Sequence, residues 1–138
     1  MKNVGISKMK KIIEKIKAKI RGTIDLERLI KDGLSVGDNF HAQEGVIIDP
    51  GHCWLIEIGN NVTLAPRVHI LAHDASTKNI LGYTKISNVK IGNNVFVGAG
   101  TIILPGVTIE DNVIIGAGSV VTKDCKEGVY AGNPCTLV

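Results

Sequence analysis

Four histidines, His41, His52, His69 and His73, are the side chains in this chain best suited to take up and return a proton near neutral pH. Imidazoles also bind metals, so their spacing has to be weighed for both kinds of chemistry. His69 and His73 lie four residues apart and form the sharpest candidate zinc pair, with His41 and His52 the only other imidazoles. Cys53, Cys125 and Cys135 show no metal-type spacing and read as buried or half-buried free thiols in a reducing compartment. His73 stands where a regular pattern in the flanking sequence stops, at the mouth of its longest interruption. His41 and His52 read as surface or cleft residues.

That pattern has a period of six. An aliphatic residue recurs at Ile91, Val97, Ile103, Ile109, Ile115 and Val121. Small or branched residues follow each start four positions later, as Val95, Thr101, Val107, Val113, Ser119 and Cys125. The period fits neither a helix face nor one long alternating strand. It fits a solenoid in which each hexad is a short strand and three hexads close one triangular coil. A fainter run begins at Val36, breaks around Asp49-Pro50-Gly51-His52-Cys53, and resumes at Ile58, Leu64 and Ile70. It disappears again between Leu71 and Lys90. The expectation is an all-β domain over residues 35–138: a parallel β-helix of about four coils with an excursion loop at 71–90. His73 sits at the mouth of that loop, and long loops in compact domains are often functional. The break at Pro50–Leu55, which holds the only tryptophan, Trp54, reads either as a cleft wall or as a packed surface loop.

Residues 1–34 precede the repeats and read as an N-terminal helical cap. Met9, Ile12 or Ile13, Ile16 and Ile20 recur at helical spacing among lysines, which predicts an amphipathic basic helix ended by Gly22. A second short helix is expected over Leu26–Lys31, with Asp25 as its cap and Gly33 as its stop. The first helix has two readings. The preferred one is a cover over the open end of the solenoid, where core side chains and strand edges need shielding. The other is contact with an anionic membrane surface. The net charge of +3 comes mostly from residues 2–31, so the repeats are nearly neutral and offer no face for nucleic acid. No apolar run is long enough to span a membrane and no signal-type apolar region is present, so a cytoplasmic location is expected.

Four segments carry a resemblance: Ile91-Gly-Asn-Asn-Val-Phe-Val-Gly-Ala-Gly, Ile103-Leu-Pro-Gly-Val-Thr-Ile, Ile115-Gly-Ala-Gly-Ser-Val-Val-Thr-Lys-Asp124 and Ala131-Gly-Asn-Pro-Cys135. Over residues 35–138 the chain resembles the hexapeptide-repeat O-acetyltransferases, which include maltose, galactoside and capsular-sugar acetyltransferases. The resemblance implies a left-handed coil, a homotrimer with active sites in the clefts between subunits, acetyl-CoA as co-substrate, and no metal. It implies that His73 is the general base. The adjacent Asp74 reads either as a group that orients a ring or binds substrate or as a solvated loop carboxylate. By the same resemblance, Gly98, Ala99, Gly116 and Ala117 lie along the pantetheine arm, and Thr122 and Lys123 lie near the adenine and phosphates. Some relatives have serine at the position of Ala99, which leaves a backbone N–H near Gly98 to Gly100 as the oxyanion donor. Gln43 and Asp49 fall near the positions that hold the acceptor hydroxyls. Thr136 stands where relatives place a basic residue toward coenzyme A phosphate, and the short tail leaves the last coil edge less covered than usual. The implied reaction is acetyl transfer to a hydroxyl of a sugar or glycan precursor. The alternatives are an amino-acid acceptor such as serine, a γ-type zinc carbonic anhydrase, whose histidine spacings these four do not resemble, and a non-catalytic trimeric scaffold.

Overall fold

The computed structural model describes residues 2–138, with side chains from residue 5 onward; Met1, the first residue of the expected cap, lies outside the described residues. The chain opens with α1 (Lys2–Arg21) and α2 (Leu26–Lys31). Gly22, at φ +70°, follows the end of α1. Asp25 caps α2 by accepting from the Arg28 N–H at 3.2 Å.

The chain then makes four circuits, each laying one short strand on each of three parallel sheets. The first circuit is β1 (Ser35–Val36), β2 (Phe40–Ala42) and β3 (Ile47–Ile48). The second is β4 (Ile56–Ile58), β5 (Val62–Leu64) and β6 (His69–Ile70). An excursion of β7 (His73–Asp74), α3 (Lys78–Leu81) and β8 (Lys85–Ile86) comes next, with β7 and β8 pairing antiparallel. The third circuit is β9 (Val89–Ile91), β10 (Val95–Val97) and β11 (Ile102–Ile103), and the fourth is β12 (Thr108–Ile109), β13 (Val113–Ile115) and β14 (Val120–Val121). Sheet A is β1-β4-β9-β12 and sheet C is β3-β6-β11-β14. Sheet B is β2-β5-β10-β13, extended by β15 (Gly128–Ala131) and β16 (Thr136–Leu137). The excursion is shorter than expected at its far end, because Val89 and Lys90 already belong to sheet A, opposite Ile56 and Glu57.

Eighteen residues separate stacked partners in the clean run, as in Ile91↔Ile109 and Ile103↔Val121. Ile48↔Ile70 are 22 apart and Ile70↔Ile103 are 33 apart, because Pro50–Leu55 and the excursion add residues. Both additions leave the prism at the corner between sheets C and A. The hexad starts stack as the core: Ile58, Leu64, Ile70, Ile91, Val97, Ile103, Ile109, Ile115 and Val121 are all buried. At the corner between sheets A and B the backbone turns through positive φ at Asn39, Asn61, Asn94 and Asn112. Asparagine tolerates that conformation. Its amide also links the coils, each residue donating to the next at 2.9–3.1 Å.

Stacking coils leave no room for side chains at some turns. A Cβ on Gly98 would lie 2.4 Å from the Ala117 nitrogen. Because the blocking atoms are backbone, Gly98→Ala is expected to cost about 1–3 kcal/mol. A thermal melt of the variant checks this, and an unchanged midpoint would contradict it.

Within residues 1–34, the contacts with the core come from the second half. Leu29 of α2 and Leu34 are buried in the core cluster with Val46, Ile48, Cys53 and Ile56, and Ile24 and Leu26 pack against it. Residues 24–34 therefore do the covering. In α1, from Gly5 onward, only Ala18 is even half-buried. At the other end, the tail does not leave the last edge of sheet B bare: β16 pairs antiparallel with β15, and the Val138 N–H donates to the Val129 carbonyl. Among the described residues no helix is long and apolar enough to cross a membrane.

Candidate active site

β3 ends at Ile48, and the next residue, Asp49, turns into the corner between sheets C and A. One circuit on, β6 ends at Ile70, and Ala72 and His73 leave by the same corner. The Ile48↔Ile70 pairing thus stacks the mouth of one insertion on the mouth of the other. This brings residues 24 positions apart into contact. His73 Nδ1 is hydrogen-bonded to Asp49 Oδ2. The same oxygen accepts from the Ala72 N–H at 3.1 Å, and Oδ1 accepts from the Gly51 N–H at 3.2 Å.

The Asp49 side chain is only 1% exposed, while that of His73 is 37% exposed. Burial alone would raise the Asp49 pKa; the hydrogen bond from His73, the bond from Ala72, the nearby His73 charge and the bond from Gly51 outweigh it and hold the carboxyl below its ordinary value. Asp49 is therefore an ionised acceptor to which the His73 Nδ1–H donates. That fixes the ring orientation and leaves Nε2 as the basic nitrogen.

His52 completes the corner. Its ring lies 4.6 Å from that of His73, tilted by 34°. Its Nδ1 is 3.5 Å from Asp49 Oδ1, is buried, and has no hydrogen-bond partner. Asp49, His52 and His73 each offer a ligand atom within 4.8 Å of the others, and this is the group of donor atoms that the described residues gather. His69, the other half of the candidate zinc pair, is not part of this group; it sits on β6, in register with Ile47 and Ile102.

Several expected roles change. Asp49 has no free face for an acceptor hydroxyl, since it is buried and both its oxygens are engaged. Asp74 does not orient the His73 ring; its carboxylate accepts from the Ser76 N–H at 2.8 Å and closes the first turn of the excursion, and that bond lowers its pKa. Gln43 is exposed at the corner between sheets B and C, lining a cavity with Phe40, Ala42, Thr63 and Ile24. His41 bonds Asn39 Oδ1 at 2.8 Å on the outer side of β2. Cys53 and Cys125 are buried free thiols and Cys135 is partly exposed.

The turns after β10 and β13 also lie at the corner between sheets B and C. Gly98 and Gly116 donate their N–H groups to Ile115 and Tyr130 carbonyls, and Gly100 and Gly118 donate to Pro66 and Ala99. Gly98 and Gly100 thus drop out as oxyanion donors. Among the described residues, the N–H groups of the exposed Ala99 and Ala117 have no acceptor. Ala99 borders a cavity with Arg21, Glu44, Pro66 and Arg67. Thr122 and Lys123, both exposed, follow β14 at the corner between sheets C and A, two circuits beyond His73.

A prism of short parallel strands, interrupted at one corner by a carboxylate-held imidazole, is the setting in which comparison with known proteins becomes informative. Residues 88–123 match the family described as bacterial transferase hexapeptide (six repeats). The galactoside O-acetyltransferase of Escherichia coli is 40% identical over 112 residues, 76% of this chain and 53% of that protein. A crystal structure of a maltose O-acetyltransferase from Clostridium difficile is 49% identical, with a TM-score of 0.67, over 77% of this chain and 58% of that one. A galactoside acetyltransferase solved in complex with coenzyme A is 34% identical, with a TM-score of 0.61, over 81% of this chain and 68% of that one. The chain belongs to the hexapeptide-repeat acetyltransferase family. It spans about half the length of the curated relatives it matches.

Proposed function

We propose that the protein transfers an acetyl group from acetyl-CoA to a hydroxyl of a sugar or glycan precursor, with His73 as general base. The carrying observation is the hydrogen bond that ties His73 Nδ1 to buried Asp49 in a ring that stays 37% exposed, with Nε2 left as the nitrogen for an acceptor. Nε2 takes the hydroxyl proton as the oxygen attacks the thioester carbonyl. The tetrahedral oxyanion collapses, the C–S bond breaks, and the proton passes to the departing thiolate, giving an acetyl ester and free coenzyme A. The Ala99 N–H is the donor we assign to the oxyanion, because its neighbours in the turn are already bonded.

Within one chain His73 and Ala99 occupy different corners, so this reading requires a second copy. The sheets support one. Phe96, Ile114 and Val129 stack in register on the outer side of sheet B, each 44–49% exposed. The outer side of sheet A instead shows Glu57, Lys90 and Thr108. An exposed apolar strip of this kind marks a protein interface. We infer a homotrimer of left-handed coils in which Ala99 and Ala117 of one copy meet the His73 corner of the next. Gly98 and Gly116 give the groove its shape, and Thr122 and Lys123 lie toward the nucleotide end. In this reading residues 24–34 are the cap and 35–138 the catalytic domain. Gln43 and Asp74 remain on the acceptor side, and the three free thiols fit the cytoplasm.

The test is a screen of the purified protein with acetyl-CoA against a panel of sugars and glycan precursors, with serine included, read as free-thiol release and as ester formed. Acceptor-dependent thiol release with a sugar is expected. Turnover with serine alone would transfer the assignment to an amino-acid acceptor, and no turnover with any acceptor would remove it.

A further inference from the structure

Among the described residues, α1 is a long element whose apolar face the fold does not use. Ile6, Met9, Ile12, Ile13, Ile16 and Ile20 are 44–79% exposed. At 3.6 residues per turn these six positions fall within an arc of roughly 120°. From Lys8 to Arg21 the rest of the surface carries seven cations, Lys8, Lys10, Lys11, Lys15, Lys17, Lys19 and Arg21, against the single acid Glu14, which pairs with Lys17 at 3.1 Å.

The placement of these cations is as informative as their number. Lys10, Lys17 and Arg21 run along one border of the apolar arc, and Lys8 and Lys19 run along the other. From such borders the aliphatic stems lie beside the apolar face while the charged ends rise away from it. Lys11, Lys15 and Lys19 form a row at i, i+4 spacing, where like charges destabilise a helix standing in water. An anionic surface relieves that repulsion. A second copy of the same helix packed against it would add to the repulsion. The base of α1 is held to the prism by the Gly45 N–H, which donates to the Gly22 carbonyl at 2.9 Å. The helix is too polar to cross a bilayer.

We propose that α1 lies in the surface of an anionic lipid bilayer, with the Ile6–Ile20 stripe among the acyl chains and the basic borders at the headgroups. This docks the prism on a membrane without a spanning segment. The proposal is independent of the acetyl-transfer reading, since vesicle binding is measured without turnover.

The experiment is flotation of the full chain with vesicles of phosphatidylglycerol and phosphatidylcholine, in parallel with pure phosphatidylcholine. Binding to the anionic vesicles is expected to exceed binding to the neutral ones by about tenfold or more, and to fall as salt rises well above 0.1 M, roughly where the screening length drops below 10 Å. The double variant Ile13→Glu, Ile16→Glu changes only exposed side chains. It is expected to lose vesicle binding while keeping the parent's melting temperature and elution volume. Equal binding to both vesicle types, binding to neither, or undiminished binding by the variant would overturn the proposal. So would a changed oligomeric mass in the variant, which would assign the stripe to contact between copies.

Discussion

Replacing His73 with alanine is expected to lower kcat for acetyl transfer by about 10²–10⁴, the usual contribution of a positioned general base. The fold should be untouched, because the His73 ring is part-exposed at the corner and no core row depends on it. The effect should fall on kcat rather than KM, since a base acts on the proton as the acceptor attacks and adds little to ground-state binding. Free-thiol release at saturating acetyl-CoA measures the loss, and a far-UV circular dichroism spectrum matching the parent shows that structure is retained. Undiminished kcat would remove His73 from the mechanism while leaving the family assignment in place. His73→Gln separates shape from proton transfer: the amide can donate to Asp49 but cannot take a proton at neutral pH, so its activity is expected to stay with that of the alanine variant.

The prism was legible from Ile91 onward because every sixth residue there points inward and must be apolar. The stacked pairs Ile91↔Ile109 and Ile103↔Val121 follow directly from three hexads per circuit. The position of His73 at the mouth of the excursion was legible for the same reason, as the place where the period fails. Its partner was not. Asp49 lies 24 residues upstream, and the two meet only because both insertions leave at one corner. A signal did exist: the break after Ile48 precedes the break after Ile70 by one circuit, which stacks the two breaks. Taken one at a time, the breaks leave His52 open between surface and cleft, and only their stacking sets it beside His73. The amphipathic character of α1 was also legible, but a stripe of isoleucines states only that a helix needs an apolar neighbour. The part of residues 1–34 that packs into the core is the shorter segment around Leu29 and Leu34, whose spacing alone is too brief to stand out. Backbone bonding at Gly98 and Gly100 depends on register between coils, so which N–H remains free could be read only from the assembled stack.

Asp49→Asn tests the dyad from its other side. The side chain keeps its size, but one acceptor becomes a donor. If the amide oxygen stays toward His73 Nδ1 and the Ala72 N–H, the new NH₂ faces the Gly51 N–H; if it flips, it faces His73 and favours the tautomer with the proton on Nε2, which is useless as a base. Comparable replacement of a buried orienting carboxylate lowers kcat by about 10⁴, and a loss of roughly 10²–10⁴ is expected here. A merely structural role would lower the amount of folded protein and leave kcat per folded site unchanged, so thiol release normalised to folded enzyme distinguishes the two. Stability against pH gives a second, independent readout. The folded-state pKa of Asp49 is depressed, so its contribution is present above the ordinary carboxylate value of about 3.9 and is lost as pH falls through the lower folded value. The parent should therefore lose stability on acidification below about pH 4 through this group, and Asp49→Asn should lose less over the same interval because asparagine does not titrate. Parallel melting curves for parent and variant across that interval would show that the carboxylate is not held in its ionised form, and with it the preset tautomer of His73 would go.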